Sequence, residues 1–191
     1  MFGLKEKEPK LSMEMQKIIN RSIDEKNGAN TDEIFRYKYK IMQLLTSNQD
    51  ILRALHNADI DNGDEELNGD LYRYVNIFDF MRLPDFQHEV KNYICFEVND
   101  STYGDYATRS IVFRAVSHED DCKTDWGIAR HDLLASIIKN EFDWSNVFGF
   151  HVKKVSDNGH VVDSGYYYRE IVYETTVTNN LYAKLNNKSG R

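Results

Sequence analysis

The sequence predicts an α+β fold, with a four-stranded antiparallel sheet (ββαββ), a helix packed on one face and an α-helical N-terminal extension. Three observations predict it. Apolar residues recur at helical spacing in the first third of the chain. In the second half, two pairs of strand-like segments flank one helix-like segment, and polar turn residues separate the strands. At 191 residues and 41% hydrophobic composition, the chain is long and apolar enough for one domain with an extension.

The N-terminal third is predicted to be helical. A first helix is expected over Leu11–Lys26, where isoleucines and methionines recur at helical spacing. Asn30 followed by Glu33 forms a capping-box pattern, which predicts the start of a second helix over Thr31–Leu45. Ser47 is expected to cap a further helical turn. The apolar stripe of the second helix consists of Ile34, Tyr37, Ile41, Leu44 and Leu45.

Two segments of contrasting character follow the helices. Asp59–Asp70 is crowded with Asp, Glu and Asn, which predicts an exposed loop or linker. Leu71–Phe86 is apolar and aromatic, fits neither the helical nor the strand period, and is interrupted by Pro84. We expect this aromatic arm to cover the core of its own chain, which is the favoured interpretation, or to bind a partner.

The second half contains the sheet. Turn-forming residues at Asp157-Asn158-Gly159 and Ser164-Gly165 predict a hairpin with a long protruding tip between the last two strands. The chain therefore divides into a helical extension (1–58), an acidic linker with the aromatic arm (59–90), the ββαββ domain (91–180) and a C-terminal tail (181–191). The predicted strands are Asn92–Asn99, Arg109–His118, Gly149–Ser156 and Tyr166–Val177, with the helix over Trp126–Glu141.

Charge and cysteine content limit the classes of function. A net charge of -7 and a pI near 5.4 argue against a surface that wraps nucleic acid. Cys95 lies within an apolar strand and Cys122 within a polar loop, so they do not suggest a disulfide framework, and we expect a reducing compartment. The sequence contains no apolar run long enough for a membrane span and no signal-peptide pattern at its start, which predicts a soluble protein made in a cytoplasm.

The sharpest polar cluster is the segment from His118 to Asp125, with His131 shortly after it. Carboxylates and imidazoles together could bind a divalent metal or support two-metal hydrolysis. However, acidic residues are also common in solvated loops that precede a helix, where they complement the helix dipole. We favour the second interpretation and predict no metal site, no cofactor and no catalytic residue. The segment that begins at Asp59 fails the calcium-loop pattern, and the sequence lacks the common phosphate-binding, esterase-elbow and zinc motifs.

The C-terminal half resembles the tail-terminator and tail-completion proteins of long-tailed bacteriophages. In that family a strand runs into a loop, a helix opens with an Arg-x-Asp-like element, and a hairpin ends near an Asn. The resemblance covers about half of the chain, roughly Asn92–Asn180. The segments that carry it are Ser110–His118, Ile128–Leu134 with Arg130 and Asp132, and Tyr166–Tyr173 followed by Thr178-Asn179-Asn180.

The resemblance implies a non-enzymatic protein of the virion neck, assembled in the host cytoplasm. It implies a homo-oligomeric ring, usually of six copies, that contacts the tail tube protein and the head-side connector protein. Packaged DNA would pass through the ring without sequence-specific binding, and an acidic surface would help it slide. No membrane partner is expected. The residues expected to contact neighbouring copies or partners are Tyr74, Phe78, Phe80, Arg130, Asp132, His151, Lys153, Tyr167, Arg169 and Glu170.

Three alternatives remain open beside the tail terminator. The first is a head-completion or connector protein one ring higher. The second, from a different class, is a metal-dependent nuclease or phosphoesterase that uses His118, Asp120, Asp121 and Asp125. The third is a cytoplasmic adaptor whose N-terminal helices bind a partner helix.

Overall fold

The computed structural model describes residues 33–61, 63, 65–82, 92–103, 106–143, 152–162 and 165–178, together with residue 13. Within this part of the chain, the α+β class and the strand–strand–helix–strand–strand order are confirmed. Most of the predicted first helix, the predicted Asn30 cap and the C-terminal tail lie outside the described residues. The described elements are helices α1 (Glu33–Ser47), α2 (Gln49–Leu55) and α3 (Arg130–Phe142), and strands β1 (Ile77–Phe78), β2 (Tyr93–Tyr103), β3 (Tyr106–His118), β4 (Lys153–Val162) and β5 (Tyr166–Thr178).

Helices α1 and α2 follow each other with a single residue between them. Asn48 separates them, and its side-chain oxygen accepts hydrogen bonds from the amides of Asp50 and Ile51 at 3.0 and 3.1 Å. Asn48 is therefore the N-cap, and the prediction that Ser47 caps this turn was wrong. Helix α2 ends at Leu55, and the left-handed backbone of its C-cap residue His56 (φ 49°) closes the last turn.

Among the described residues, the sheet has five strands in the order β1-β2-β3-β5-β4, instead of the four that were predicted. The pairs β2–β3, β3–β5 and β5–β4 are antiparallel, whereas the additional strand β1 runs parallel to β2. Strand β1 comes from the aromatic arm, and its two residues are too few to produce a readable alternation in the sequence. Ile77 points into the large core, and Phe78 points to the opposite face of the sheet.

The large core lies between the sheet and all three described helices. Residues of α1 and α2, such as Ile41 and Leu52, are completely buried in the same cluster as Phe113 of β3 and Ile138 of α3. The loop before β1 also packs here. A Cβ atom on Gly69 would lie only 1.8 Å from the carbonyl oxygen of Thr46, so the 3₁₀ turn at Gly69–Tyr72 can approach α1 closely only with glycine.

A second, smaller cluster lies on the opposite face of the sheet. It contains Phe78, Tyr93, Cys95, Val116 and Tyr166. Burial raises the pKa of the Cys95 thiol to about 11, so this cysteine behaves as a small apolar side chain, as its sequence context predicted.

Both predicted ends of β4, Gly149 and Ser156, differ from the structure. The strand begins at Lys153 and runs through Asp157-Asn158-Gly159, which were expected to form a turn. Asp157 pairs with Ile171, and Gly159 pairs with Arg169, so the connection to β5 lies beyond Val162. The sheet ladder overrides the local turn preference of these residues because β5 offers a continuous row of partners.

Candidate functional site

The entry to helix α3 brings together most of the polar residues that the sequence singled out. The helix begins at Arg130, four residues later than predicted, because residues 122–129 form turns. Arg130 is only 6% exposed. Its guanidinium donates to the Asp121 carbonyl at 2.7 Å, to the Asp121 carboxylate at 2.9 Å and to the Ala54 carbonyl at 3.1 Å. Arg130 therefore ties α3 to its own entry loop and to α2.

Asp121 is the centre of this arrangement. Besides Arg130, its carboxylate accepts a hydrogen bond from Asn92 at 2.5 Å and lies 3.0 Å from the Nδ1 atom of His56. Burial alone would raise the pKa of Asp121, but the hydrogen bonds from His56 and Asn92 and the charge of Arg130 hold it below its ordinary value. The carboxylate thus stays ionised, and it joins α2, the start of β2 and the start of α3.

Three asparagines extend the network into the core. The Asn57 side chain donates to the Asn76 side chain at 2.6 Å, and Asn76 donates to the Asn92 carbonyl at 2.7 Å. Asn92 in turn donates to the Leu55 carbonyl at 3.1 Å. All three residues are buried, so their hydrogen bonds stabilise the junction of α2, the aromatic arm and β2.

His131 lies behind the entry loop and faces the sheet. Its Nδ1 atom is 2.9 Å from the Ser117 hydroxyl and 3.6 Å from the Cys122 sulfur, and its ring stacks on Tyr167 at 5.9 Å. Burial lowers the pKa of His131, and the nearby Asp132 opposes that shift only in part. At neutral pH the imidazole is therefore an uncharged packing group.

A row of ion pairs continues along α3 over strands β4 and β5. Arg169 donates to Asp132 at 2.8 Å and to Asp157 at 2.5 Å, and Lys139 donates to the same Asp157 at 2.9 Å. Burial raises the pKa of Asp157, but the hydrogen bonds from Arg169 and Lys139 outweigh it and lower the pKa. Asp132 and Arg169, both predicted to contact partners, thus also contact each other across the helix and the sheet of their own chain.

The acidic loop supplies few groups that could act together in metal chemistry. Within the described residues, no three His, Cys, Asp or Glu side chains are placed to hold a metal ion. Asp121 is committed to Arg130 and Asn92, and the side chain of His118 accepts a hydrogen bond from the amide of Asp120 at 3.2 Å. Glu119, Asp120 and Asp125 remain exposed and give this surface a negative charge.

A short turn within the same loop was missed by sequence reasoning. Lys123 and Ala129 form an antiparallel bridge, and the Thr124 hydroxyl donates to the Ile128 carbonyl at 2.5 Å. Gly127 (φ 73°) donates its amide to the Thr124 carbonyl at 3.2 Å. This Trp126 turn, residues 123–129, presents Trp126 with 70% of its surface exposed. The sequence signal for this turn was a glycine directly after a tryptophan, but the predicted helix included both residues.

The aromatic residues of the arm divide between the core and the surface. Phe78 is 3% exposed and packs against Tyr93 and the Arg82 guanidinium, so it is a core residue of the isolated chain. Tyr74 and Phe80 stack on each other with their centroids 6.5 Å apart, and both are exposed. The favoured interpretation of the arm, that it covers its own core, is therefore correct for Phe78, and the arm also leaves two aromatic rings at the surface.

The remaining predicted contact residues are distributed over both faces. Lys153 is exposed at the start of β4, whereas Tyr167 lies under His131. Glu170 accepts a hydrogen bond from Arg114 at 2.7 Å on the face opposite the helices. His151 lies outside the described residues. Together with Arg130, Asp132 and Arg169, these residues form no single surface.

A surface cavity of about 650 Å³ opens at the other end of the helical layer, between α1 and the 3₁₀ turn. Its lining combines Lys40, Leu44 and Arg73 with polar groups of Ser47 and Asn68. The guanidinium of Arg73 pairs with Asp70 at 3.1 Å.

Among the described residues, no helix is long and apolar enough to cross a membrane.

Comparison with known proteins identifies a family. No curated protein matches the chain. The model of the phage-associated YomW family matches residues 48–175, from the N-cap of α2 into the last strand β5, which is more than half of the chain. The matched range contains the whole α3 entry network and all five strands except the end of β5. The chain therefore belongs to the YomW family.

Proposed function

We propose that this protein is a structural component of the phage neck, a tail terminator that forms a ring on the tail tube and joins it to the head-side connector. The observation that carries the proposal is the outer position of β4. Among the described residues this ten-residue strand pairs on one side only, with β5, and most of its side chains are exposed. An edge strand of this length is a natural surface for contact between copies.

Three further features support the proposal: the family, the order of the elements and the net charge. The family is phage-associated, and the Ser110–Tyr173 region has the strand, loop, helix and hairpin order of tail terminators. A net charge of -7 also suits a ring through which DNA slides without binding.

The test is the location of the protein in particles. Phage that carry the protein with a small affinity tag should bind gold-labelled reagent at the head–tail junction. A phage that lacks the gene should release filled heads and unjoined tails. Gold elsewhere on the particle, or particles without the protein, would contradict the proposal.

Two other mutants, which still make the protein, separate the tail terminator from a head-completion ring. A terminator should co-purify with free tails from a phage that is blocked in head assembly. A head-completion protein should instead co-purify with free heads from a phage that is blocked in tail assembly. Mass spectrometry of the two gradient-purified fractions distinguishes the two outcomes.

A further inference from the structure

We propose that strand β4 pairs with β4 of a second copy, antiparallel and centred on Asn158, so that the free protein is a two-fold dimer. This inference goes beyond the proposed function, because it concerns the protein before it joins a ring. The partner is another molecule of the same chain, and the contact joins two identical edges. Such a contact closes at two copies, so the dimer and the ring are alternative uses of one edge.

Strand β4 offers an open edge that a second strand fits. It is ten residues long and contains no proline, and among the described residues it pairs only with β5. The backbone amides and carbonyls on its outer side are therefore available to another strand. Residues 156–162 continue the ladder with β5 without interruption, and the one irregularity of this pairing lies before Ser156. The proposed contact thus uses the regular part of the strand.

Two exposed valines indicate the register of the pairing. Val155 is 47% exposed and Val161 is 74% exposed, and neither belongs to the core clusters of the described residues. Counted back from Val161, alternation places both side chains on one face, because six residues, or about 20 Å, separate them. Val161 pairs with Tyr167, whose ring stacks on His131, so this is the face that carries α3.

A pairing centred on Asn158 covers both valines at once. Val155 lies three residues before this centre and Val161 lies three residues after it. Each Val155 therefore faces Val161 of the second copy, and the two-fold axis produces this pair twice. Direct cross-strand pairs of β-branched residues stabilise a sheet, and both side chains lose apolar surface to water.

The positions between the valines are also compatible with this register. Ser156 faces His160, and Asn158 faces Asn158 of the second copy across the axis. Asp157 faces Gly159, where an added Cβ atom would meet nothing within 4 Å, so its side chain has room. The charge of Asp157 is already balanced within its own chain by Arg169 and Lys139. The segment from 155 to 161 thus places no like charges opposite each other.

Neighbouring registers fit less well. A slide of one residue would exchange the faces of the strand, so the helical layers of both copies stay on one side only if the strands slide by two. In one direction this slide sets Asp157 opposite Asp157, a pair of like charges. In the other direction it sets Asp157 opposite Val161 and leaves Val155 without a valine opposite it. The side chains therefore select the register centred on Asn158.

The pairing joins the five described strands of each copy into one continuous sheet. It removes the open edge of the free protein, and exposed edges of this kind are sites of aggregation. A contact at β4 within a ring would need the same backbone groups. The dimer therefore has to open before β4 makes a ring contact.

The experiment places single cysteines on β4 of the full-length chain, with Cys122→Ser as background because Cys95 is buried. Asn158→Cys should form a disulfide-linked dimer on mild oxidation. Opposite residues of an antiparallel pair have Cα atoms about 4.5–5.5 Å apart, which is within the range of a disulfide. The matched control is His160→Cys, exposed on the same face of the strand. Its two copies are offset by four residues, or about 13 Å along the strand, and should not cross-link.

A mixture of two variants tests the register more strictly. Chains with His160→Cys and chains with Ser156→Cys should form only mixed dimers, because these two positions face each other. Efficient cross-linking of His160→Cys with itself would overturn the inference. So would a wild-type chain that stays monomeric at millimolar concentration in sedimentation equilibrium.

A substitution on the edge measures the contribution of the valines. Val161→Asp should weaken dimerisation by roughly 100-fold or more, because each dimer then buries two unpaired carboxylates. Trp126→Ala, which changes another exposed apolar residue away from β4, should leave dimerisation unchanged. If Val161→Asp associates as the wild type does and the protein is found at the neck, this inference fails and the proposed function stands. If the dimer forms in this register and particles lack the protein, only the proposed function fails.

Discussion

The two faces of the sheet are covered in very different ways. On one face, three helices bury a continuous apolar cluster around Phe113, and ion pairs close its border. On the other face, only the small cluster around Cys95 is buried, and other residues of that face, such as Arg114 and Val172, remain partly exposed. Most of the stability therefore comes from the helical face, and the opposite face can tolerate changes that alter its contacts with other molecules.

The largest difference in stability between the two faces is expected from two neighbouring substitutions in β3. Phe113 contacts Phe142 with ring centroids 4.8 Å apart on the helical face, whereas Val112 lies half-buried on the other face. Phe113→Ala should lower the free energy of unfolding by about 3–5 kcal/mol, because it leaves a cavity. Val112→Ala should cost less than about 1.5 kcal/mol. Urea denaturation measures both, and equal losses would contradict the comparison.

Loss of the buried guanidinium of Arg130, which anchors α3 on the helical face, should have the next largest effect on the free energy of unfolding. Arg130→Met leaves the Asp121 carboxylate without its buried cation and the Ala54 carbonyl without a donor. We expect a loss of about 3 kcal/mol, close to the cost of breaking a buried ion pair. The control is Arg53→Met, because Arg53 makes an exposed bond to the Glu65 carbonyl and its loss should change stability by about 0.5 kcal/mol or less. A small effect of both would show that the anchor does not secure α3.

The pH dependence of stability should also report on the helical face. The folded-state pKa of Asp121 lies below its ordinary value of 3.8, so its contribution is present above about pH 4 and is lost as the pH falls through the folded pKa. Asp121→Asn should therefore reduce the loss of stability in strong acid. Thermal unfolding of both proteins between pH 7 and pH 2 measures this. A constant difference between them across that range would contradict the assignment.

The smallest effect is expected on the open face. Arg114 and Glu170 form a partly exposed ion pair at 2.7 Å across β3 and β5. Because solvent screens such pairs, Arg114→Gln should change the free energy of unfolding by only about 0.2–1 kcal/mol. Chemical denaturation with and without 1 M salt checks this. A loss as large as that of Arg130→Met would mean that the two faces contribute equally.

The sheet was the part of the fold that the sequence predicted best. Strands β3 and β5 alternate apolar and polar residues over long runs, so their ends were located within a few residues. The acidic loop was predicted to be a solvated loop before the helix, and Glu119, Asp120 and Asp125 are exposed there, whereas nothing in the sequence indicated the role of Asp121. Its partners, His56 and Asn92, are 65 and 29 residues away in the chain, and no local pattern connects them.

Other features of the fold depend on tertiary contacts and have little signal in the local sequence. Strand β1 is two residues long, and β4 contains an Asp-Asn-Gly sequence that normally predicts a turn. The helix was predicted to include Trp126 and Ile128, but both lie in a turn in which Gly127 has a positive φ angle. For β1 and β4 the local preference was weaker than pairing with another strand, whereas the Trp126 turn is held by its own local bridge.

The three buried asparagines have a consequence for the order in which the chain folds during synthesis. The hydrogen bond from Asn57 to Asn76 joins residues 19 positions apart, and the bond from Asn76 to Asn92 joins residues 16 positions apart. Asn92 directly precedes β2. Helices α1 and α2 leave the ribosome first, but their final position requires Asn92, which is made later. The helical layer and the sheet therefore reach their native arrangement together, and a nascent chain that stops before β2 exposes the apolar side of both helices.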